Sequence, residues 1–216
     1  MKNYFVTAIG TDCGKTLVSA ILVEFLGADY FKPVQAGFPT DTETVKSLVT
    51  NNQGTFSMTF HKESYLLQMP ASPHKAARAE GIEIKLENII LPKTAVIAAH
   101  NLIIEGAGGV LVPLNDNDFV IDLATKFSLE TNCKVILVAN LYLGSINHTL
   151  LTINELKRRN IDVLGIVFNG EENKESEEII LKHSSYKCLL RIQKEENISN
   201  ETVKKYAQML NKADFL

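Results

Sequence analysis

The sequence predicts an α/β fold, a doubly wound, mostly parallel sheet with helices on both faces. Three observations lead there. The apolar runs are short and rich in β-branched and aromatic residues. They are apolar at successive positions, as strands covered on both faces must be. They alternate with longer stretches of helical period through short connections, the pattern of a parallel sheet wound with crossover helices.

In chain order, Tyr4–Ile9 reads as a buried strand and Lys15–Leu26 as a helix ending near Gly27. Tyr30–Val34 (YFKPV) reads as one short strand and Asp41–Val49 as the next helix. Asn51–His74 has no regular period, with Gly54, Pro70 and Pro73 interrupting it; an irregular segment of that length points to a functional or partner-ordered loop. Further strands are expected at Asn101–Glu105, Lys134–Ala139 and Asp162–Phe168. Helices are expected at Phe119–Leu129, Ile146–Arg159, Glu175–Lys182 and Asn200–Asn211.

With 216 residues, 45% hydrophobic and 22% charged, the chain has material for one well-filled domain spanning residues 1–216. Its 22 Lys and Arg against 25 Asp and Glu give a net charge of −3, no global pull toward nucleic acid or an anionic membrane. No apolar run approaches the roughly 18 residues that span a bilayer. The N-terminus opens on a strand-like run without a small-residue cleavage site, which argues against a signal peptide. Cys13, Cys133 and Cys188 are odd in number, far apart and lack C-x-x-C spacing, so they read as reduced thiols of a cytoplasmic protein. The Asn-x-Ser/Thr triplets at Asn147, Asn197 and Asn200 then carry no glycosylation meaning.

The strongest local signal is Gly10-Thr11-Asp12-Cys13-Gly14-Lys15-Thr16, between the first strand and the first helix. A Gly-rich turn there aims backbone N–H groups at a phosphate chain, and the helix N-terminus adds partial positive charge. Lys15 would reach the β- and γ-phosphates and the Thr16 hydroxyl would ligate Mg²⁺, the arrangement of a P-loop. A strict G-x-x-x-x-G-K-[ST] pattern needs glycine where Ile9 stands.

Ligands of such a sheet sit at the carboxyl ends of the strands, and three more groups fall there. Lys32, in Lys32-Pro33-Val34-Gln35-Ala36-Gly37, can neutralise charge on a transferring phosphoryl group or a bound acid. Asp41, in Thr40-Asp41-Thr42-Glu43, can give Mg²⁺ a carboxylate, although the same four residues also make a good helix start. Glu105, ahead of Gly106-Ala107-Gly108-Gly109, ends a buried strand where a second metal carboxylate belongs. Their order is the one expected if all converge on one nucleotide crevice.

The pieces VTAIGTDCGKT, FKPVQAG, PASPH, IIEGAGG, LGSINHTLLT and GIVFNG, in this order over residues 4–170, resemble the dethiobiotin synthetase family. The resemblance implies a P-loop ligase of biotin biosynthesis that uses ATP and Mg²⁺. It would join CO₂ to diaminopelargonate through an N-carbamate and a carbamic-phosphoric anhydride, releasing ADP and phosphate. Carried over by position, Asp12, Cys13, Gly14, Lys15, Thr16 and Leu17 wrap the phosphates. Thr16, Asp41 and Glu105 form the metal shell, and Lys32 and Lys15 are the catalytic lysines. Thr11, Ala36 and the loop Glu105, Gly106, Ala107 and Gly108 line the substrate or nucleotide, and Asn169 and Gly170 correspond to adenine-contacting positions. Gly144 and Asn147 open a helix whose amides take the substrate carboxylate from the neighbouring subunit, so a homodimer is implied. The chain departs from the family at Ala36, where many members carry Ser or Thr, at Ala8, where the first loop glycine falls, and at Ile192-Gln193-Lys194, which lacks a usual proline.

The competing readings are a partitioning-type P-loop ATPase and a non-catalytic nucleotide-binding protein. The former typically carries a second lysine early in the loop, which residues 8–13 (AIGTDC) lack. A cobyrinate-type amide synthase needs a glutamine-hydrolysing domain for which 216 residues leave no room. The five histidines show no metal-ligand spacing. Cys13 is not expected to be a nucleophile, because phosphoryl transfer to a carbamate needs no covalent enzyme intermediate.

Overall fold

The computed structural model describes residues 2–50, 58–93 and 100–215, so residues 51–57 of the irregular stretch lie outside the described residues. The first strand, β1 (Asn3–Ala8), is buried at every position. It is central in a parallel sheet with β2 (Asp29–Phe31), β4 (Phe60–His61), β6 (Leu102–Gly109), β7 (Lys134–Asn140), β8 (Val163–Asn169) and β9 (Cys188–Ile192). The order is β4-β2-β6-β1-β7-β8-β9, with every strand pair parallel. The chain leaves β1 toward β2 on one side and later reaches β7 on the other, which opens a crevice at the carboxyl end of β1.

Among the described residues seven α-helices follow the strands: α1 (Lys15–Leu26), α2 (Asp41–Leu48), α3 (Pro73–Ala79), α4 (Val120–Thr131), α5 (Ser145–Arg158), α6 (Lys174–Ser184) and α7 (Asn200–Ala207). Alternation along β1 divides them between the faces. Tyr4, Val6 and Ala8 pack with Val18, Ile21 and Leu22 of α1 and with Val203 and Tyr206 of α7. Phe5 points to the opposite face, among Ile121, Ala124 and Phe127 of α4 and Ala76 and Ala77 of α3. Farther along, Leu137, Ile166 and Phe168 lie under Ile153 of α5 and Ile180 of α6. A sheet covered on both faces explains why its strands lack the polar alternation of a half-exposed one.

The expected single strand Tyr30–Val34 is two. Phe31 ends β2, and Val34–Ala36 forms β3, paired in parallel with β5 (Tyr65–Leu67) in a separate two-stranded sheet. Pro33 has no N–H to continue a ladder, while its carbonyl accepts the N–H groups of Ser64 and Tyr65. The break turns Lys32 out of the sheet at its carboxyl edge. The strand β9 had no counterpart in the expectation, since its CLLRI lies between charged stretches that hide a short apolar run. No described helix is long and apolar enough to cross a membrane.

Candidate active site

The loop after β1 ends at Gly14, whose φ of 91° is a left-handed conformation glycine adopts without a Cβ penalty. Gly14 caps α1 with no side-chain hydrogen bond, and the first turn of α1 holds no acidic residue. The contrast with α2 is instructive. There Thr40 and Glu43 form a reciprocal capping box and Asp41 and Glu43 complement the helix dipole. The amides opening α1 are left for an external anion.

Lys15, at the head of α1, is buried, and its ammonium donates to the Gly10 carbonyl at 3.1 Å. Burial, and then the charge of Lys32, push its pKa below that of an ordinary lysine. Such a cation is under-solvated and gains strongly from a polyanion.

Beside it, Thr16 Oγ1 lies 3.2 Å from Asp41 Oδ1 and 3.0 Å from Glu105 Oε1. Lys32 Nζ bridges the same two acids, 2.6 Å from Asp41 Oδ2 and 3.2 Å from Glu105 Oε1, and donates to the Gly106 carbonyl at 3.0 Å. Full burial by itself would lower the Lys32 pKa, but Glu105 and Asp41 outweigh it and hold the ammonium above its usual value. Burial likewise opposes ionisation of Asp41, and Lys32 with Thr16 reverses that, so its carboxyl titrates below the usual aspartate.

These groups open onto a cleft of about 1000 Å³. Thr11, Asp12, Gly14, Lys15, Thr16, Leu17, Lys32, Ala36, Asp41, Glu105, Ala107 and Gly108 line it, so most of the sequence-predicted residues converge there. Cys13 lies beneath the loop, 3% exposed, with its thiol pKa raised chiefly by burial. Asn169 is placed against the loop, where its Nδ2 donates to the Cys13 carbonyl at 2.9 Å. Gly170, at φ 108°, donates its N–H to Ile192 O and lies outside the cleft lining. Gly144 and Asn147 stand at the start of α5, also outside the lining. His74 opens α3 but borders a different recess, with Arg78 and Asp118.

Three contributions escaped the sequence reading. Tyr30, read only as a strand residue, donates from its hydroxyl to Glu105 Oε2 at 3.0 Å. Gln35 lies in the Lys32 loop, where its position was the only signal. Its Oε1 accepts the Asp41 N–H at 3.2 Å, and its Nε2 donates to Gly37 O at 3.1 Å. Pro70, Ala71, Ser72 and Pro73 form part of the wall, and PASPH was the signal for them.

The chain matches a family model described as an AAA domain over residues 2–202. It is 59% identical over 211 residues to a Cytophaga hutchinsonii protein named ATP-dependent dethiobiotin synthetase BioD, with 97% of each chain covered. A protein of the same name from Christiangramia forsetii is 46% identical, with 98% of this chain and 97% of that one covered. Among solved structures, a ParA family ATPase from Chlorobium tepidum superposes with a TM-score of 0.55 at 12% identity, covering 95% of this chain and 90% of that one. The Aquifex aeolicus MinC:MinD cell division protein complex gives a TM-score of 0.51 at 11% identity, with 96% and 87% covered. The last two are likenesses of fold alone.

Proposed function

The chain belongs to the ATP-dependent dethiobiotin synthetase family, and from that premise we propose how its residues close the dethiobiotin ring from diaminopelargonate, CO₂ and ATP. The enzyme is an ATP-dependent ligase of biotin biosynthesis. The observation that carries the residue-level reading is the bridge from Lys32 to Asp41 and Glu105 beside Thr16, at the mouth of the phosphate loop.

In this reading the amides of Asp12–Leu17 and the Lys15 ammonium hold the triphosphate, with Asn169 bracing the loop from behind and Asn169 and Gly170 flanking the adenine. Thr16 Oγ1 is within hydrogen-bond distance of both Asp41 Oδ1 and Glu105 Oε1, which gathers three hard oxygens. That set fits Mg²⁺, which takes one or two carboxylates together with water and phosphate oxygens. When bound, the ion would offset charge on the phosphate oxygens.

One amine of diaminopelargonate adds to CO₂ and loses a proton, giving a carbamate. A carbamate oxygen attacks the γ-phosphorus, the bond to ADP breaks, and a carbamic-phosphoric anhydride forms. The second amine then attacks the carbamoyl carbon and gives up a proton as the ring closes, and phosphate departs with the electron pair. Lys32 places a fixed positive charge where the transferring phosphoryl group and the carbamate meet, and burial makes that charge more effective than in water. Thr11 and the Glu105–Gly108 loop face the carbamate end, and Ala36 leaves that wall without a hydroxyl.

The helix α5 repeats the bare N-terminus of α1. Gly144 caps it at φ 102° with no side-chain bond and no acid in the first turn. Around it Tyr142, Leu143, Ile146 and Leu151 are exposed, an apolar surface suited to a second copy of the chain. We assign Gly144 and Asn147 to the substrate carboxylate of the neighbouring protomer in a homodimer.

The test is phosphate release from MgATP, with and without diaminopelargonate and bicarbonate, alongside direct detection of dethiobiotin. Release requiring both additions, yielding dethiobiotin and lost in Lys32→Ala, supports the reading. Release indifferent to diaminopelargonate refutes it and returns the chain to the partitioning-type ATPases whose fold it shares.

A further inference from the structure

The two oxygens of Glu105 face opposite ways. Oε1 is on the cleft side, 3.0 Å from Thr16 Oγ1 and 3.2 Å from Lys32 Nζ. Oε2 accepts a hydrogen bond of 3.0 Å from the Tyr30 hydroxyl, inside the core. Tyr30 is fully buried, its ring tilted against Phe60 with centroids 6.2 Å apart.

The sheet register explains how the phenol reaches. Tyr30 stands opposite Ile103 across the β2–β6 pair, so Glu105 is two residues farther toward the carboxyl edge. Residues two apart share a face, and the offset along the strand is about 6.6 Å at about 3.3 Å per residue. A tyrosine lying along the face spans that offset. The terminal torsion of a glutamate is broad and roughly two-fold. A donor on the core oxygen fixes the carboxylate plane and keeps Oε1 aimed at Thr16 and Lys32.

We propose that Tyr30 is a positioning residue of the metal and phosphate site, acting through Glu105. The inference rests on the reading that Thr16, Asp41 and Glu105 hold the divalent ion. An outer partner that orients a ligating carboxylate typically changes metal affinity by about 10- to 100-fold.

The experiment measures Mn²⁺ binding in the presence of ADP, by loss of the free-ion electron paramagnetic resonance signal, in wild type and Tyr30→Phe. The expected result is an Mn²⁺ dissociation constant raised about tenfold. The Mg²⁺ concentration for half-maximal dethiobiotin formation should rise in parallel, with kcat at saturating Mg²⁺ changed far less. A folded Tyr30→Phe that binds Mn²⁺ as tightly as wild type overturns the proposal. Should that variant not fold, Tyr30→Phe/Glu105→Gln compared with Glu105→Gln alone decides. Equal affinities support action through Glu105, and a further tenfold loss overturns it. Wild type that binds Mn²⁺ with ADP but forms no dethiobiotin removes the ligase reading and leaves the role of Tyr30 standing. Wild type that binds no Mn²⁺ overturns both the metal reading and the role of Tyr30.

Discussion

Lys32 holds two acids at once, the partly exposed Asp41 with Nζ to Oδ2 at 2.6 Å and the buried Glu105 with Nζ to Oε1 at 3.2 Å. Removing the cation leaves two acids facing each other in a poorly solvated site. Lys32→Met should therefore lower dethiobiotin formation by about 10²- to 10³-fold, the usual effect of deleting one charge-stabilising group. It should also destabilise the fold by about 3 kcal/mol, as breaking a buried pair does. Added Mg²⁺ should restore part of that stability by replacing the lost charge. Urea unfolding with and without Mg²⁺ measures the effect, and a loss indifferent to Mg²⁺ would count against the shared site.

The pair of Lys32 and Asp41 sets the pH dependence of stability. Asp41 titrates below its ordinary value of 3.8 in the folded protein, because Lys32 and Thr16 outweigh the opposing effect of burial. A depressed carboxylate contributes stability above its unfolded pKa and loses it as pH falls through the folded one. Lys32 is the converse, raised above 10.5, so its contribution is full below 10.5 and is lost as pH climbs through the folded value. Wild type and Asp41→Asn should thus differ most in the neutral range and converge as pH falls below about 4. Urea midpoints across pH check this, and a constant difference would mean that Asp41 does not titrate with the fold.

Cys13 sits in the middle of the phosphate loop, a position that invites a catalytic reading. Burial outweighs the opposing charge of Lys15 and raises its thiol pKa, so it is not a poised thiolate. Cys13→Ala should keep turnover within about fivefold of wild type, the equivalent of the roughly 1 kcal/mol at which single substitutions centre. Wild-type Cys13 should also react slowly with iodoacetamide at neutral pH. Lost turnover with ATP binding intact would make the thiol a participant.

What could be read from the sequence follows from how local each signal is. The Gly10–Thr16 loop is contiguous, so its placement between β1 and α1 was visible. Lys32, Asp41 and Glu105 are distant in sequence, but each follows a strand, and the carboxyl-edge rule brought them together. Tyr30 and Gln35 stayed hidden because their roles depend on strand register and loop closure, which no periodicity encodes. The split at Pro33 was written in the sequence as a missing N–H, yet the apolar run YFKPV masked it.

Gly14 and Asn169 lock the back of the phosphate loop. A Cβ on Gly14 would collide with the Asn169 carboxamide, and its φ of 91° is strained for any side chain. Gly14→Ala should weaken ATP binding by at least tenfold. Asn169→Ala frees the Cys13 carbonyl of one hydrogen bond and should weaken binding about fivefold, near the net value of about 1 kcal/mol for such a bond. Calorimetry with a non-hydrolysable ATP analogue measures both. If Asn169→Ala binds as wild type does while Gly14→Ala does not, backbone strain alone shapes the loop.

The dimer proposal makes a demand that no single-chain site would. If α5 of one protomer completes the substrate site of the other, Lys32→Ala and a variant with α5 disabled, such as Gly144→Pro, each lack activity for different reasons. Equal mixing and exchange gives half heterodimers. In each of these, one site combines both defects and the other has neither. About a quarter of wild-type activity should return, the ceiling that two-fold symmetry allows. Leu143→Lys, at a fully exposed apolar position beside that helix, should shift the protein toward monomer in light scattering and lose activity with it. Absence of recovery on mixing, with subunit exchange verified, would place the carboxylate-binding amides in the same chain as Lys32.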